Sequence, residues 1–233
     1  MMQSFPTREA WADTAADRLA GALADALTAD GRALFAGAGG STPSPIYARL
    51  AKAELDWASV TATLVDERYV PETSPDSNAA LLKRTLLTGP AAAARFIPLY
   101  SPAVTVDRAA ALASQVLIAE GRPLDAVLMG MGEDGHICSM FPGSPTLTTL
   151  LTPGLKPAVY GVPAGRDGAA PPQERLTLNL PWLASARRVV LALTGAKKRA
   201  VFEREAAGDP ALNPIAALIA ANAPLEVFWT EAE

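Results

Sequence analysis

The chain contains one histidine, His136, among 233 residues, and that scarcity fixes where imidazole chemistry could occur. Histidine is the side chain whose ordinary pKa lies nearest neutrality, so proton transfer by imidazole has a single address. His136 ends the string Gly130, Met131, Gly132, Glu133, Asp134, Gly135, His136, behind an acidic pair and among glycines that let the backbone fold around a small ligand. A lone histidine is more often structural, but this setting favours a catalytic reading. Cys138, the one cysteine, lies two residues on. It reads as a small buried apolar residue, because no second histidine is present to serve as its base. One Cys and one His exclude an internal disulfide and a Cys/His zinc cluster, so any metal would need carboxylates.

Three further strings carry candidate chemistry. Gly37, Gly39, Gly40, Ser41 and Thr42 precede Pro43 and a helical segment. Glycines after a strand let backbone amides approach an anion, and the string suits a phosphate. It lacks the third glycine and the later acidic residue of a dinucleotide site, and a tight strand-to-helix turn is the alternative reading. Asp66, Glu67 and Arg68 follow an apolar run and lead to Pro75, Asp76, Ser77 and Asn78. Adjacent charges are costly to bury unpaired, so they must be solvated, paired or holding a ligand. Taken alone, the string reads as a solvated loop in which Ser77 or Asn78 caps the next helix. Finally, Arg175 precedes Thr177 and Asn179, and Lys197 and Lys198 stand where a helix begins. Cations in a first turn oppose the helix dipole and invite a ligand explanation. A solvated turn accounts for one of these lysines more easily than for both.

These strings need elements to position them. Thr7 is a plausible N-cap for a helix carrying Trp11, Ala15, Leu19, Leu23 and Leu27, stopped at Gly31. Strands are expected at residues 33–36, 61–65, 124–129, 158–162, 189–193 and 226–229. Helices are expected around Tyr47 and Leu50, over residues 78–87, along the stripe from Ala109 to Leu117, and over 197–205 and 214–220. Alternation of strand and helix implies a mainly parallel sheet covered on both faces, with ligands bound beyond the carboxyl ends of its strands. No internal repeat or dividing linker is visible, so residues 1–233 read as one domain. The stretch 165–173 has the composition of a surface loop.

Composition narrows the partners. Half of the residues are apolar and 19% are charged, which suits a packed core rather than a disordered chain. A net charge of −4 disfavours a nucleic-acid scaffold and leaves a small anionic ligand open. The N-terminal residues lack the pattern of a secretory signal, and no apolar run reaches membrane-spanning length. A cytoplasmic protein bound to neither nucleic acid nor membrane is expected, as a monomer or weak homodimer.

Taken together the strings resemble the 6-phosphogluconolactonase family. The residues that carry the likeness are GGSTP beginning at Gly39, DERYVP at Asp66 with PDSN at Pro75, GMGEDGH at Gly130 with SMFPG at Ser139, ERLTLNLP at Glu174, and TGAKK at Thr194. They occur in family order and cover nearly the whole chain. The resemblance implies a three-layer αβα sandwich with a mainly parallel, Rossmann-like sheet, shared with glucosamine-6-phosphate deaminases and ribose-5-phosphate isomerases. It also implies hydrolysis of 6-phospho-D-glucono-1,5-lactone, the second step of the oxidative pentose phosphate pathway, with no cofactor. Under that reading His136, with Asp134, activates water. The phosphate is held by Arg68, Lys198 and the turn Gly39, Gly40, Ser41 and Thr42, with Arg175 as support; Asp66 and Asn78 complete the substrate set. The family pattern favours Lys198 over Lys197.

The deaminases are the nearest alternative, but they usually carry tyrosine at the place of Arg68 and an Asn-Glu-Pro string where Met140, Phe141 and Pro142 stand here. A non-catalytic sugar-phosphate sensor is a second alternative, opposed by retention of the histidine together with the phosphate residues. Ile137 and Cys138 depart from the threonine and alanine common in lactonases.

Overall fold

The structure is a computed structural model that describes residues 2–103, 105–165 and 172–232. Most of the stretch 165–173 lies outside the described residues. The chain begins with β1 (Met2–Phe5) and α1 (Arg8–Asp30). Thr7 caps α1 by accepting the Ala10 N–H at 3.1 Å, and Gly31 closes it at φ 68°, the left-handed conformation a glycine adopts without a Cβ clash. There follow β2 (Ala33–Gly37), α2 (Ser44–Leu50), β3 (Val60–Leu64), β4 (Asp66–Arg68), α3 (Asn78–Thr85), β5 (Arg95–Phe96), α4 (Val106–Ile118) and β6 (Ala126–Met129). The remainder is α5 (Leu147–Leu151), β7 (Val159–Val162), β8 (Arg175–Leu178), α6 (Leu180–Ala184), β9 (Val189–Thr194), α7 (Gly195–Ala206), α8 (Pro214–Ala220) and β10 (Leu225–Thr230).

Seven strands form one sheet in the order β1-β10-β9-β6-β2-β3-β5, with every neighbouring pair parallel. Its central strands β2, β3 and β6 are buried along their whole length, which is why β2 and β6 read as unbroken apolar runs; β3 carries two buried threonines, Thr61 and Thr63. Helix α1 packs across β2, β6, β9 and β10, and α7 packs on β9 and β10. The expected flanked parallel sheet is what the chain forms. Chain order runs outward from β2 through β3 to β5 on one side, and from β6 through β9 to β10 on the other. The reversal therefore lies between β2 and β6, and a crevice beyond the carboxyl ends of those strands is the natural ligand site.

A second sheet departs from the expectation. The antiparallel strands β4, β8 and β7 form a three-stranded unit, so the strand anticipated at 158–162 belongs here rather than to the main sheet. The string Asp66, Glu67, Arg68 is likewise a strand, not a solvated loop. Its carboxylates are buried: Glu67 is 0% exposed and Asp66 7%. Glu67 is satisfied by four donors. Its Oε1 accepts from the N–H of Arg68 at 2.7 Å and of Asn78 at 2.8 Å, and its Oε2 accepts from the Ala79 N–H at 2.8 Å and the Ser77 hydroxyl at 3.1 Å. The first turn of α3 is thus tied to the small sheet through one carboxylate. Burial pushes the Glu67 carboxyl pKa up, and these hydrogen bonds pull it back toward the ionised form.

Glu67→Gln should test this joint. The amide would turn an NH₂ toward the Ala79 N–H and leave a buried donor unmatched, costing about 1–3 kcal/mol. Urea unfolding of the variant should show an unfolding free energy lower by that amount, seen as a lower midpoint at unchanged slope; an unchanged midpoint would mean that the carboxylate is not the tie.

Candidate functional site

One cleft gathers the sequence-predicted residues. Gly39, Gly40, Ser41 and Thr42 line it from beyond β2, and Asp66, Arg68 and Asn78 from the seam between β3, β4 and α3. His136 and Cys138 line it from beyond β6, Arg175 from β8, and Lys198 from the first turn of α7. The cleft therefore opens at the topological reversal between β2 and β6. Asp134 is the one predicted site residue outside this lining, and it touches the imidazole that lines it.

The loop after β6 folds so that Asp134 and His136 meet although only two residues apart. Asp134 Oδ1 lies 2.5 Å from His136 Nδ1 and also accepts the His136 N–H at 3.2 Å. The imidazole holds the Asp134 carboxyl below the ordinary aspartate range, chiefly through that side-chain hydrogen bond, so the carboxylate stays ionised beside the ring. A carboxylate on Nδ1 fixes the tautomer that carries its proton there and leaves Nε2 free to take one. Gly132 makes this possible: a Cβ on it would stand 2.3 Å from His136 Cε1 and Nδ1 and 2.4 Å from Asp134 Oδ1. Gly135, at φ 89°, gives the loop its left-handed turn.

The cleft is also lined by cations. Arg68 and Arg175 face each other across the β4–β8 pair, an arrangement of like charges that is unfavourable unless negative groups lie between or beside them. Asp66 is one such group, with Oδ2 at 3.9 Å from Arg175 Nη1, while Arg68 Nη1 donates to the Asp76 carbonyl at 2.5 Å. The Nε of each arginine is buried without a hydrogen-bond partner among the described residues. Burial is the main reason the Arg175 guanidinium pKa lies below its usual value, with the charge of Arg68 adding to it and that of Asp66 opposing it. The two lysines separate as the sequence allowed. Lys197 is exposed and pairs with Glu133, whereas Lys198 reaches into the cleft, its Nζ 3.5 Å from Thr42 Oγ1.

Asp66 is held by several elements at once. Ser139 donates to its Oδ2 at 2.7 Å, and the Asn78 amide donates to its backbone carbonyl at 2.9 Å and more distantly to Oδ1 at 3.4 Å. Gly39 has to be glycine for Asn78 to sit there, since a Cβ would fall 1.8 Å from the Asn78 Oδ1. Cys138 is buried, as expected, but it does line the cleft. Burial, with a smaller contribution from the Asp66 charge, pushes its thiol pKa well up. Sequence reasoning overlooked Gly132 as the space that admits the dyad, Ser139 as the prop of Asp66, and Trp229, whose indole N–H donates to the Gly195 carbonyl at 2.9 Å where the lysine-bearing helix starts. Ser139 and Trp229 have no local signal, because each acts on a residue more than thirty positions away.

This geometry sets an imidazole–carboxylate dyad and a cationic pocket in one crevice. The sequence matches the family described as glucosamine-6-phosphate isomerases/6-phosphogluconolactonase over residues 6–229. The chain belongs to this family. Among its relatives, a 6-phosphogluconolactonase of Rhizobium meliloti (strain 1021) is 43% identical over 230 residues, spanning 98% of this chain and 97% of that protein. A 6-phosphogluconolactonase of Caulobacter vibrioides is 41% identical over 99% of this chain and 97% of the other. The crystal structure of a 6-phosphogluconolactonase from Shewanella baltica OS155 superposes with a TM-score of 0.90 at 33% identity, covering 99% of this chain and 97% of that one. The fold alone is also shared with a monomeric glucosamine-6-phosphate deaminase, at a TM-score of 0.77 and 19% identity over 98% of this chain and 96% of that one.

Gly132→Ala separates positioning from folding. The atoms a Cβ would strike are the ends of two side chains rather than backbone, so the loop can yield by displacing the dyad. The variant should unfold within about 1 kcal/mol of the parent yet lose roughly 100-fold in kcat, the scale of a misplacement near 1 Å. Parental kcat would show that the dyad does not need this gap.

Proposed function

We propose that the chain hydrolyses 6-phospho-D-glucono-1,5-lactone to 6-phosphogluconate, with His136 as the general base that activates water. The observation that carries this reading is that the chain's one imidazole, bound through Nδ1 to an ionised Asp134, lines the same cleft as Arg68, Arg175 and Lys198. The base and the cations suit the reacting carbonyl and the remote phosphate of one small substrate. The names of the relatives at about 40% identity and nearly complete coverage support the same substrate.

A δ-lactone is an activated ester, so a well-placed base worth about 10²- to 10⁴-fold, together with positioning, supplies much of the acceleration required. In the proposed sequence His136 Nε2 removes a proton from water as its oxygen bonds to C1. The carbonyl electrons move onto oxygen, and the resulting oxyanion is held by backbone amides of the glycine-rich turns. When the carbonyl reforms, the bond from C1 to the ring oxygen breaks, and the imidazolium returns its proton to that oxygen as it becomes a hydroxyl. Arg68, Lys198 and the Gly39 to Thr42 turn hold the 6-phosphate, so binding energy remote from the carbonyl orients it. Asp66 is an acceptor, and its chemistry suits sugar hydroxyls rather than phosphate. Neither a metal nor a covalent intermediate is needed for this balance.

His136→Ala should lower kcat by at least about 10²-fold in an assay corrected for spontaneous lactone opening, while 6-phosphogluconate still binds; a parental kcat would remove His136 from the chemistry.

Lys198→Ala should raise KM for the phosphorylated lactone by roughly 10-fold or more, the loss of a charge-assisted contact, and leave KM for glucono-1,5-lactone unchanged. Equal effects on both lactones would place the phosphate elsewhere. Release of ammonia from glucosamine 6-phosphate would instead favour the deaminase reaction.

A further inference from the structure

The motif Ser139, Met140, Phe141, Pro142, Gly143 contributes Ser139 to the support of Asp66, but the proposed chemistry leaves its aromatic ring without a role. Phe141 is 9% exposed and stands behind the cleft lining rather than in it. Its ring centroid lies 4.5 Å from that of the His136 imidazole, with the planes inclined by 36°. The Arg175 guanidinium carbon lies over the same ring, 5.9 Å from its centroid. The segment carrying Phe141 is fixed independently of the imidazole. Met140 N–H donates to the Ile137 carbonyl at 3.0 Å, Ser144 N–H donates to the Phe141 carbonyl at 3.0 Å, and Ser139 N–H donates to Thr177 Oγ1 at 3.2 Å on β8.

We propose that Phe141 is a positioning residue for the base, its ring fixing the plane in which the His136 imidazole lies. This rests on the reading of His136 as the base. A hydrogen bond from Nδ1 to Asp134 defines a direction and leaves the imidazole free to rock about it. A flat aromatic face at stacking distance removes that freedom. Together the two contacts determine where Nε2 points, which neither does alone. Because Arg175 borders the same ring, the orientation of the base is also tied to a cation that lines the cleft.

Phe141→Leu keeps an apolar filler and removes the flat face; Phe141→Tyr keeps the face, and Phe141→Met provides a second filler if the leucine variant folds poorly. In the leucine or methionine variant kcat for 6-phosphogluconolactone should fall about 10-fold with KM changed by less than about 3-fold, whereas the tyrosine variant should stay near the parent. An untagged chain labelled with ¹³C-histidine gives a spectrum of one imidazole, since the sequence holds one histidine. Its ring-proton resonances should be shifted upfield by the Phe141 ring in the parent and tyrosine variant, and should move downfield in the leucine and methionine variants. A folded filler variant with parental kcat, a loss confined to KM, equal losses in the tyrosine and leucine variants, or an unmoved resonance would each overturn the proposal. A His136→Ala enzyme with undiminished kcat would overturn the base reading itself, a result separable from any of these.

Discussion

Two adjacent carboxylates, Asp66 and Glu67, are buried where β3 passes into the small sheet, and the rest of the site is arranged around satisfying them. An ionised carboxyl removed from water without partners would cost far more than a domain's net stability can absorb. Glu67 recruits the start of α3 through backbone N–H groups and Ser77. Asp66 recruits Ser139 from the loop after β6, Asn78 from α3 and Arg175 from β8. Meeting those demands draws together segments more than a hundred residues apart in sequence, and the gap left among them is the cleft. Site and fold therefore share one polar network, which explains how short strands such as β4 hold a defined place without a large apolar face of their own.

The same network sorts charge along the cleft. Asp66 lies beside Arg175 and near Arg68, and it tempers two guanidiniums that would otherwise repel across a strand pair. Lys197 is turned away to Glu133, so only one of the two lysines that begin α7 adds its charge to the cleft. Glu133 and Asp134 thus do different things from adjacent positions: one engages a surface lysine and the other engages the imidazole. The cleft thus carries a surplus of cations beside an imidazole that has its own carboxylate partner.

The inner strands of the main sheet were legible because they are largely buried on both faces, and its long helices carry regular apolar stripes with caps, as at Thr7 and Gly31; the edge strands β1 and β5, short and partly exposed, carry no such run and were not expected. The small sheet was not legible. Its strands are three or four residues long, and β4 consists of Asp66, Glu67 and Arg68, whose charges read locally as a solvated loop. Only partners distant in sequence make burial of that string possible. The candidate site was largely legible for a related reason: its residues cluster in strings at strand ends, where the parallel topology must bring them together. Distances within the loop were not. Spacing of two residues left contact between Asp134 and His136 open, and it is the room beside Gly132 and the turn at Gly135 that close it. Phe141 belonged to a motif, but nothing in the motif says which face its ring presents or to what.

A nucleophilic side chain does line the cleft, so proposing water rather than the Cys138 thiol as the nucleophile needs a physical reason. The thiolate is the reactive form of cysteine, and burial here pushes the thiol pKa well up, with the charge of Asp66 adding to the shift. The Cys138 thiol faces the thioether of Met129 at 3.8 Å, a weak acceptor that does nothing to stabilise a thiolate. The imidazole is meanwhile occupied on Nδ1 by Asp134 and lines the cleft with the rest of its ring, so it is not engaged as a base for the thiol. A lactone carbonyl is reactive enough that an oriented, base-assisted water suffices, and an unactivated thiol beside it has no advantage to offer. The carboxylate that helps organise the site is thus also one reason its cysteine stays a protonated wall residue, which accords with the role proposed for the histidine.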